Sequence, residues 1–516
     1  MTNNEKILII DFGSQVTQLI ARRIRELNVY CEIISYQNFN KLEKLENIRG
    51  IIISGGAASI SDCKSPDLKN LNIIKNIPLL AICYGHQLIS KKFGGSVKNS
   101  KKKEFGRAEL FFKKKSPLTI NFFKRKKNIV WMSHSDQVIK VGKGFEVVAY
   151  TKNSRFAVLQ NIKLKIFTVQ FHPEVIHTKN GIIIFKNFIF NICKCSKNWT
   201  DESKLTKIIN EIKSKVEKKK VLCALSGGVD SSVLAHILYK ALYKNVYFVY
   251  IDTGLMRMNE SKEICSIFKK KFSKNFIHLK KRDVFLRNLK NISDPEKKRK
   301  IIGRTFIKIF ENFSKKYKDI EFLAQGTLYP DIIESQSFSG SPTSKIKSHH
   351  NVGGLPKKIK FKLIEPFREM FKDEVRVIGK KMNINNIILD RHPFPGPGLA
   401  IRILGHVNEK KIRMLQKIDN IFIRELKKRN LYKKIWQAFA VLLPIKTVGV
   451  MGDSRTYNYV CSLRAVTSVD GMTADFYYFK NVDLSEISNM IVNEVKGINR
   501  VVYDITSKPP GTIEWE

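Results

Sequence analysis

Acidic residues are scarce in this sequence. Asp and Glu number 46 against 93 Lys and Arg in 516 residues, a formal net charge of +47. Such an imbalance invites a nucleic-acid partner. The lysines, however, are spread along the whole chain among many Asn, Ile and Phe residues, and no basic-region zipper, zinc finger or ribonucleoprotein motif is present. No specific nucleic-acid partner is expected, only weak, salt-sensitive adhesion to polyanions. Long apolar runs are also missing, so no membrane partner is expected. The segment Met1–Lys6 lacks a signal-peptide pattern, which points to the cytoplasm. The 8 cysteines form no Cys-x-x-Cys pair, and Cys193 and Cys195 are too close for usual metal spacing. Reduced thiols are expected.

Apolar content of 43% is that of a globular protein, and 516 residues exceed one ordinary core. Strand-like runs at Ile7–Gly13, Gly50–Gly56 and Pro78–Ile82 alternate with helical patterns, the first over residues 16–26. That alternation argues a doubly wound, parallel α/β sheet. A second set begins with Val221–Leu225 and Val246–Asp252. The stretch Pro393–Leu399 suits neither helix nor central strand and marks a junction. Beyond it, a long helical segment over 407–430 and strands near 448–453 and 501–505 suggest a small α+β domain. The closing mixture of Lys, Pro, Trp and Glu suggests a tail that is tied down. The expected fold is therefore α/β: two doubly wound parallel-sheet domains, 1–198 and 199–391, and a small C-terminal α+β domain, 392–516.

Three stretches carry chemistry. Ser226-Gly227-Gly228-Val229-Asp230-Ser231-Ser232 lies between a buried strand and a helix read over Val233–Leu242. A helix N-terminus offers free N–H groups and a favourable dipole to a phosphate, and glycines let the backbone come close. No Gly-Lys-Ser/Thr follows, so this is not a Walker-A loop. The string resembles the pyrophosphatase loop of the N-type ATP pyrophosphatases, which cleave ATP between the α- and β-phosphates. A second stretch, Ala81-Ile82-Cys83-Tyr84-Gly85-His86-Gln87, reads as a nucleophile elbow with Ala81 where the pattern usually has Gly. In the third, His172-Pro173-Glu174, extended chain would set the carboxylate beside the imidazole. Nucleophile, base and orienter make a triad by role.

Together these two stretches resemble the class I glutamine amidotransferases. Ser54-Gly55-Gly56 matches that family's oxyanion loop, and Trp131-Met132-Ser133-His134-Ser135-Asp136 the loop that holds glutamine. The resemblance implies glutamine hydrolysis through a thioester on Cys83, with backbone N–H groups near Gly56 and Tyr84 holding the oxyanion. Gly55, Gln87, Ser133, His134 and Asp136 complete the implied glutamine site.

An amidotransferase followed by an adenylating domain resembles the glutamine-hydrolysing GMP synthetase family, essentially end to end. The strings that carry this include Gln325–Asp331, His349–Pro356, His392–Leu399, Gly452–Arg455 and Lys508–Glu516. The resemblance implies XMP, ATP and glutamine as substrates, with GMP as product, and places XMP contacts on Arg299, Gln437, Asp453, Lys508 and Glu514. It implies Mg2+ with ATP, no tightly bound prosthetic group, and a homodimer formed by the C-terminal domain; Asp230 is the candidate for steering the metal. Lys297–Gly303 reads as a basic turn before a helix, and 335–354 as a loop that could cover the nucleotide. The competing reading is a basic nucleic-acid-binding protein with inactive enzyme domains.

Overall fold

The computed structural model describes residues 5–14, 16–62, 65–69, 71–317, 319–329, 361–451, 454–468, 474–508 and 510–516. The expected loop 335–354, the strings 349–356 and 452–453, and with them Asp453, lie outside the described residues. The chain forms two compact units that divide between Lys204 and Leu205.

The first unit is built on a nine-stranded sheet of β1 (Lys6–Phe12), β2 (Cys31–Ser35), β3 (Ile48–Gly56), β4 (Leu79–Ile82), β5 (Ser96–Phe112), β6 (Lys127–Lys140), β7 (Glu146–Tyr150), β8 (Val158–Asn161) and β9 (Ile166–Val169), in the order β2-β1-β3-β4-β9-β8-β7-β5-β6. From β2 to β9 the pairing is parallel. These strands are covered on both faces, so Ile7–Ile10, Ile51–Ile53 and Leu79–Ile82 are continuous buried apolar runs. From β8 to β6 the sheet is antiparallel, an extension the sequence reading did not anticipate. Trp131–Asp136, expected as a loop, lies inside β6, where Val130, Met132, His134, Asp136 and Val138 are buried and their neighbours are not. That alternation is the two-residue period of a strand with unlike faces.

The second unit contains a five-stranded sheet of β10 (Lys220–Leu225), β11 (Val246–Asp252), β12 (Phe276–Lys280), β13 (Ile320–Ala324) and β14 (Lys362–Ile364). All pairs are parallel, in the order β12-β11-β10-β13-β14. The order reverses between β10 and β13, and the crevice outside the carboxyl ends of such strands is where α/β sheets bind ligands. The helix after β10 runs Val229–Leu242, one turn longer than expected, because the end of the phosphate loop is its first turn. Lys297–Gly303 is not a turn but lies inside the helix Pro295–Ser314. Asp294 caps that helix by accepting from the Lys297 N–H at 2.7 Å, and Pro295 is preset for its first position.

The C-terminal part of this unit pairs the long strands β15 (Gln437–Met451) and β16 (Ser454–Thr467) antiparallel. The short β17 (Asp475–Phe476) pairs with β16, and β18 (Ile498–Tyr503) runs parallel to β16. Helices Glu409–Lys428 and Asn481–Glu494 bury Ile418, Phe422 and Ile487 in one cluster with Leu463 of the sheet. The same cluster contains Leu222, Val249 and Ile309, so segments 199–391 and 392–516 share a core.

Candidate active sites

Cys83 joins β4 to the helix Tyr84–Lys92 with φ 53° and ψ −105°, a backbone conformation that L residues avoid. Its N–H is held by the Val169 carbonyl at 2.8 Å. Its thiol lies 3.6 Å from the Ser133 carbonyl. His172 is placed by its own N–H, which donates to Trp131 O at 3.0 Å. Its Nδ1 lies 2.7 Å from Glu174 Oε1. Burial disfavours the imidazolium, but the Glu174 carboxylate and the Cys83 sulfur outweigh it and hold His172 well above its ordinary range. Residues 171–174 form a turn after β9 rather than the extended chain expected, and the turn folds Glu174 back onto the ring.

Gly55 faces this pair. A side chain there would begin 3.2 Å from His172 Cε1 and 3.6 Å from Cys83 Cβ, so the absence of a Cβ keeps room beside the reacting groups. Gly56 ends β3 beside Phe12. The Tyr84 side chain turns into the core: its ring packs on Phe12 and its hydroxyl donates to Pro66 O. Burial pushes its phenol up to about 12. Gln87, His134 and Asp136 hold one another. Gln87 Nε2 donates to Asp136 O at 2.7 Å and His134 Nδ1 to the same oxygen at 2.9 Å. The Asp136 carboxylate accepts from Ile60 N at 3.2 Å, Asn99 Nδ2 at 3.0 Å and the Ser59 hydroxyl. These three side chains brace the wall of the site, whereas Ser133 presents its carbonyl to the sulfur.

In the second unit the phosphate loop closes on itself at the carboxyl end of β10. Ser226 Oγ accepts from Gly228 N at 3.2 Å and lies 2.9 Å from Ser231 Oγ. Ser232 Oγ is spent on Gly228 O at 2.6 Å, and Val229 anchors the turn in the core. Gly227 has φ +79°, and a Cβ there would fall 2.2 Å from Ile264 Cδ1, so only glycine fits. Asp230 sits in the first helical turn with Oδ2 3.6 Å from Lys372 Nζ. Its Oδ1 is buried without a hydrogen-bond partner among the described residues, as is Gln325 Oε1 just after β13. Both orphaned oxygens belong to the switch point, and a side chain on Gly326 would begin 3.3 Å from Asp230 Cβ. One carboxylate facing a phosphate cradle suits a magnesium ion carried by a nucleotide, which needs few protein ligands. No cluster of three or more His, Cys, Asp or Glu residues forms a metal cage among the described residues.

The expected XMP contacts are drawn together in part by the tail. Glu514 accepts from Arg402 through Nε at 3.0 Å and Nη2 at 2.7 Å, and from Gln437 Nε2 at 2.7 Å. Arg299 reaches the tail at the Glu516 carbonyl. Lys298 reaches the Glu516 carboxylate at 2.5 Å and Ile403 O at 2.8 Å. Burial pulls the Lys298 ammonium down and pushes the Glu516 carboxyl up, each opposed by its partner. Lys508 enters through its backbone, which pairs with Ala474. A cavity of about 440 Å³ between the tail and β18 is lined by Ser462, Tyr503, Asp504, Thr512, Glu514 and Trp515.

Three family descriptions match the chain: Glutamine amidotransferase class-I over residues 8–192, NAD synthase over 202–315 and GMP synthase C terminal domain over 424–515. The chain is 51% identical over 519 residues to a glutamine-hydrolysing GMP synthase of Agrobacterium fabrum (strain C58 / ATCC 33970), covering 99% of each. It is 50% identical over 517 residues to that of Brachyspira hyodysenteriae (strain ATCC 49526 / WA1), covering all of both. The chain belongs to the glutamine-hydrolysing GMP synthase family. A solved glutamine amidotransferase of Thermotoga maritima aligns with 42% of this chain and 86% of its own at 21% identity, with a TM-score of 0.30. Nothing in these matches supports the nucleic-acid reading.

Three charged residues that sequence reasoning passed over touch the phosphate loop or the tail. Arg402 is fully buried and forks onto Glu514. Its one signal was a lone charge inside the apolar run Leu399–Leu404. Lys298 hid within a basic run that reads as solvated surface. Arg391, whose Nη1 donates to Gly227 O at 2.9 Å and whose Nη2 lies 3.2 Å from Glu260, had no signal because both partners are distant in sequence.

Proposed function

We propose that the chain makes GMP by two coupled chemistries. In the first unit the Cys83 sulfur attacks the carboxamide carbon of glutamine. The oxyanion is held by the N–H groups of Gly56 and Tyr84, His172 gives a proton to the departing ammonia, and water guided by His172 then splits the thioester to glutamate. In the second unit the phosphate loop Ser226–Ser232 holds ATP as its magnesium complex, with Asp230 facing the metal. The O2 of XMP attacks the α-phosphate and expels pyrophosphate. Ammonia then attacks C2 and expels AMP, leaving GMP. Arg299, Gln437, Asp453, Lys508 and Glu514 are assigned to XMP.

The observation that carries this reading is the lysine-free phosphate loop at the switch point of a parallel sheet, in one chain with the contact triad Cys83–His172–Glu174. The segments 1–198, 199–391 and 392–516 are read as glutaminase, ATP pyrophosphatase and XMP-binding regions. A homodimer is supported by the outer half of the β15–β16 ribbon, where Val448, Val450 and Tyr457 are 60%, 73% and 64% exposed, since exposed apolar patches favour association. The cytoplasm is the proposed compartment; no helix among the described residues is long and apolar enough to cross a membrane.

Incubating the protein with XMP, Mg-ATP and ammonium salt tests the reading. AMP and pyrophosphate should appear with GMP. Formation of ADP and orthophosphate instead would reject cleavage at the α–β bond and with it the assignment.

A further inference from the structure

Adenylation of XMP demands that two binding places be in register, because O2 of one nucleotide must meet the α-phosphorus of another in line. The segment Arg391–Phe394 touches both places. Arg391 Nη1 donates to Gly227 O of the phosphate loop at 2.9 Å, while its Nη2 lies 3.2 Å from Glu260 and 3.7 Å from Glu263. The next residue, His392, accepts from the Ala438 N–H of β15 at 3.1 Å and gives its Nε2 proton to Tyr432 O at 2.8 Å. The Pro393 carbonyl accepts from Gln437 Nε2 at 3.2 Å. The Phe394 ring lies under two guanidinium groups, Arg402 at 5.0 Å and Arg257 at 5.5 Å.

A parallel path closes the connection from the other side. Glu260, which pairs with Arg391, also accepts from the Arg257 N–H at 3.1 Å. Arg257 in turn reaches Asp419 at 3.3 Å and Ala438 O at 2.9 Å, and Asp419 accepts from Ala440 N at 3.2 Å. The first residues of β15 are therefore fixed to the phosphate loop twice, through covalent chain from Arg391 and through Glu260–Arg257. Arg391 is the member common to both. Its donor group also fixes the direction of the Gly227 carbonyl.

We propose that Arg391 is a positioning residue for the adenylation step, setting the phosphate loop in register with the strand that presents Gln437. The proposal rests on the adenylation reading given above. A contact of this kind acts on alignment, and an error of about 1 Å in reacting groups costs about 10²-fold in rate. Arg391 itself is not among the residues assigned to either nucleotide.

The experiment uses the full chain with ammonium salt as nitrogen donor, so that the glutaminase is bypassed. For Arg391→Ala, kcat should fall about 10²-fold while KM for ATP and for XMP each stay within about threefold of wild type. Arg391→Lys keeps a cation and one donor nitrogen but loses the fork, and should retain more kcat than the alanine variant. Added methylguanidinium should restore part of the alanine variant's kcat. A kcat within about twofold of wild type, or a raised KM for ATP with kcat intact, overturns the proposal. If Arg391→Ala does not fold, the kcat of Arg391→Lys decides by the same criterion. Failure of the wild-type chain itself to form AMP and pyrophosphate would instead sink the adenylation reading.

Discussion

Glu174 Oε1 lies 2.7 Å from His172 Nδ1 across a proline turn, and the imidazole so held sits against Cys83. The carboxylate is wholly buried, and its second oxygen finds no partner among the described residues. It orients one ring and raises that ring's proton affinity.

Removal of the sulfur should therefore separate the two chemistries. Cys83→Ala should lower glutamine-dependent GMP synthesis by at least ~10³-fold, since triad members act as a unit. Synthesis from ammonium salt should stay near the wild-type rate. His172→Ala should behave alike, and Glu174→Ala should lose less. Assays of each variant with both nitrogen donors check this; retained glutamine activity in Cys83→Ala would exclude it as the nucleophile.

The strained backbone at Cys83 makes a stability prediction independent of activity. At φ 53° and ψ −105° alanine is no more comfortable than cysteine, whereas glycine is unstrained. Such strain costs of order 1–3 kcal/mol. Cys83→Gly should accordingly melt above Cys83→Ala, measured by calorimetry on the two inactive variants. Equal melting temperatures would mean that the elbow stores no strain.

Acid should weaken the second unit through His392. Burial, with Arg257 nearby, pulls this imidazole down to about 4, against hydrogen bonds to backbone that raise it. Between pH ~6.5 and ~4 the unfolded chain binds a proton that the folded chain does not, so stability is lost as pH falls through that window. At about pH 5 the loss is about 2 kcal/mol relative to about pH 7.5. Chemical denaturation at the two pH values should show a smaller drop for His392→Asn than for wild type. An identical drop would remove His392 as the cause.

The tail should combine structural and substrate-binding roles. Glu514 pairs with Arg402, whose side chain is 0% exposed, so Glu514→Ala strands a buried charge and should destabilise by about 3–5 kcal/mol. Lys508→Ala should raise the XMP requirement roughly ten- to a hundred-fold, the worth of one charge-assisted contact. Melting curves beside XMP titrations read both effects. An unchanged XMP requirement for Lys508→Ala would assign that residue a structural role alone.

What the sequence determined by itself is local. Strand, tight turn and helix at Cys83 and at Ser226 are written in consecutive residues, because a buried strand needs an apolar run and a phosphate cradle needs glycines at a helix start. The core strands Ile7–Phe12 and Val246–Asp252 were legible for the same reason. The tertiary structure alone decided the antiparallel extension of the first sheet, which moved Trp131–Asp136 from a loop into β6, and the occupation of Gln87, His134 and Asp136 with one another. It also decided the partners of Arg391, Arg402 and Lys298, which lie 164, 112 and 218 residues away along the chain. A lysine or arginine in isolation reads as solvated surface, since leaving water costs it several kcal/mol. Only when a distant carboxylate or carbonyl is folded against it does burial become tolerable, and no local pattern records which distant group that is.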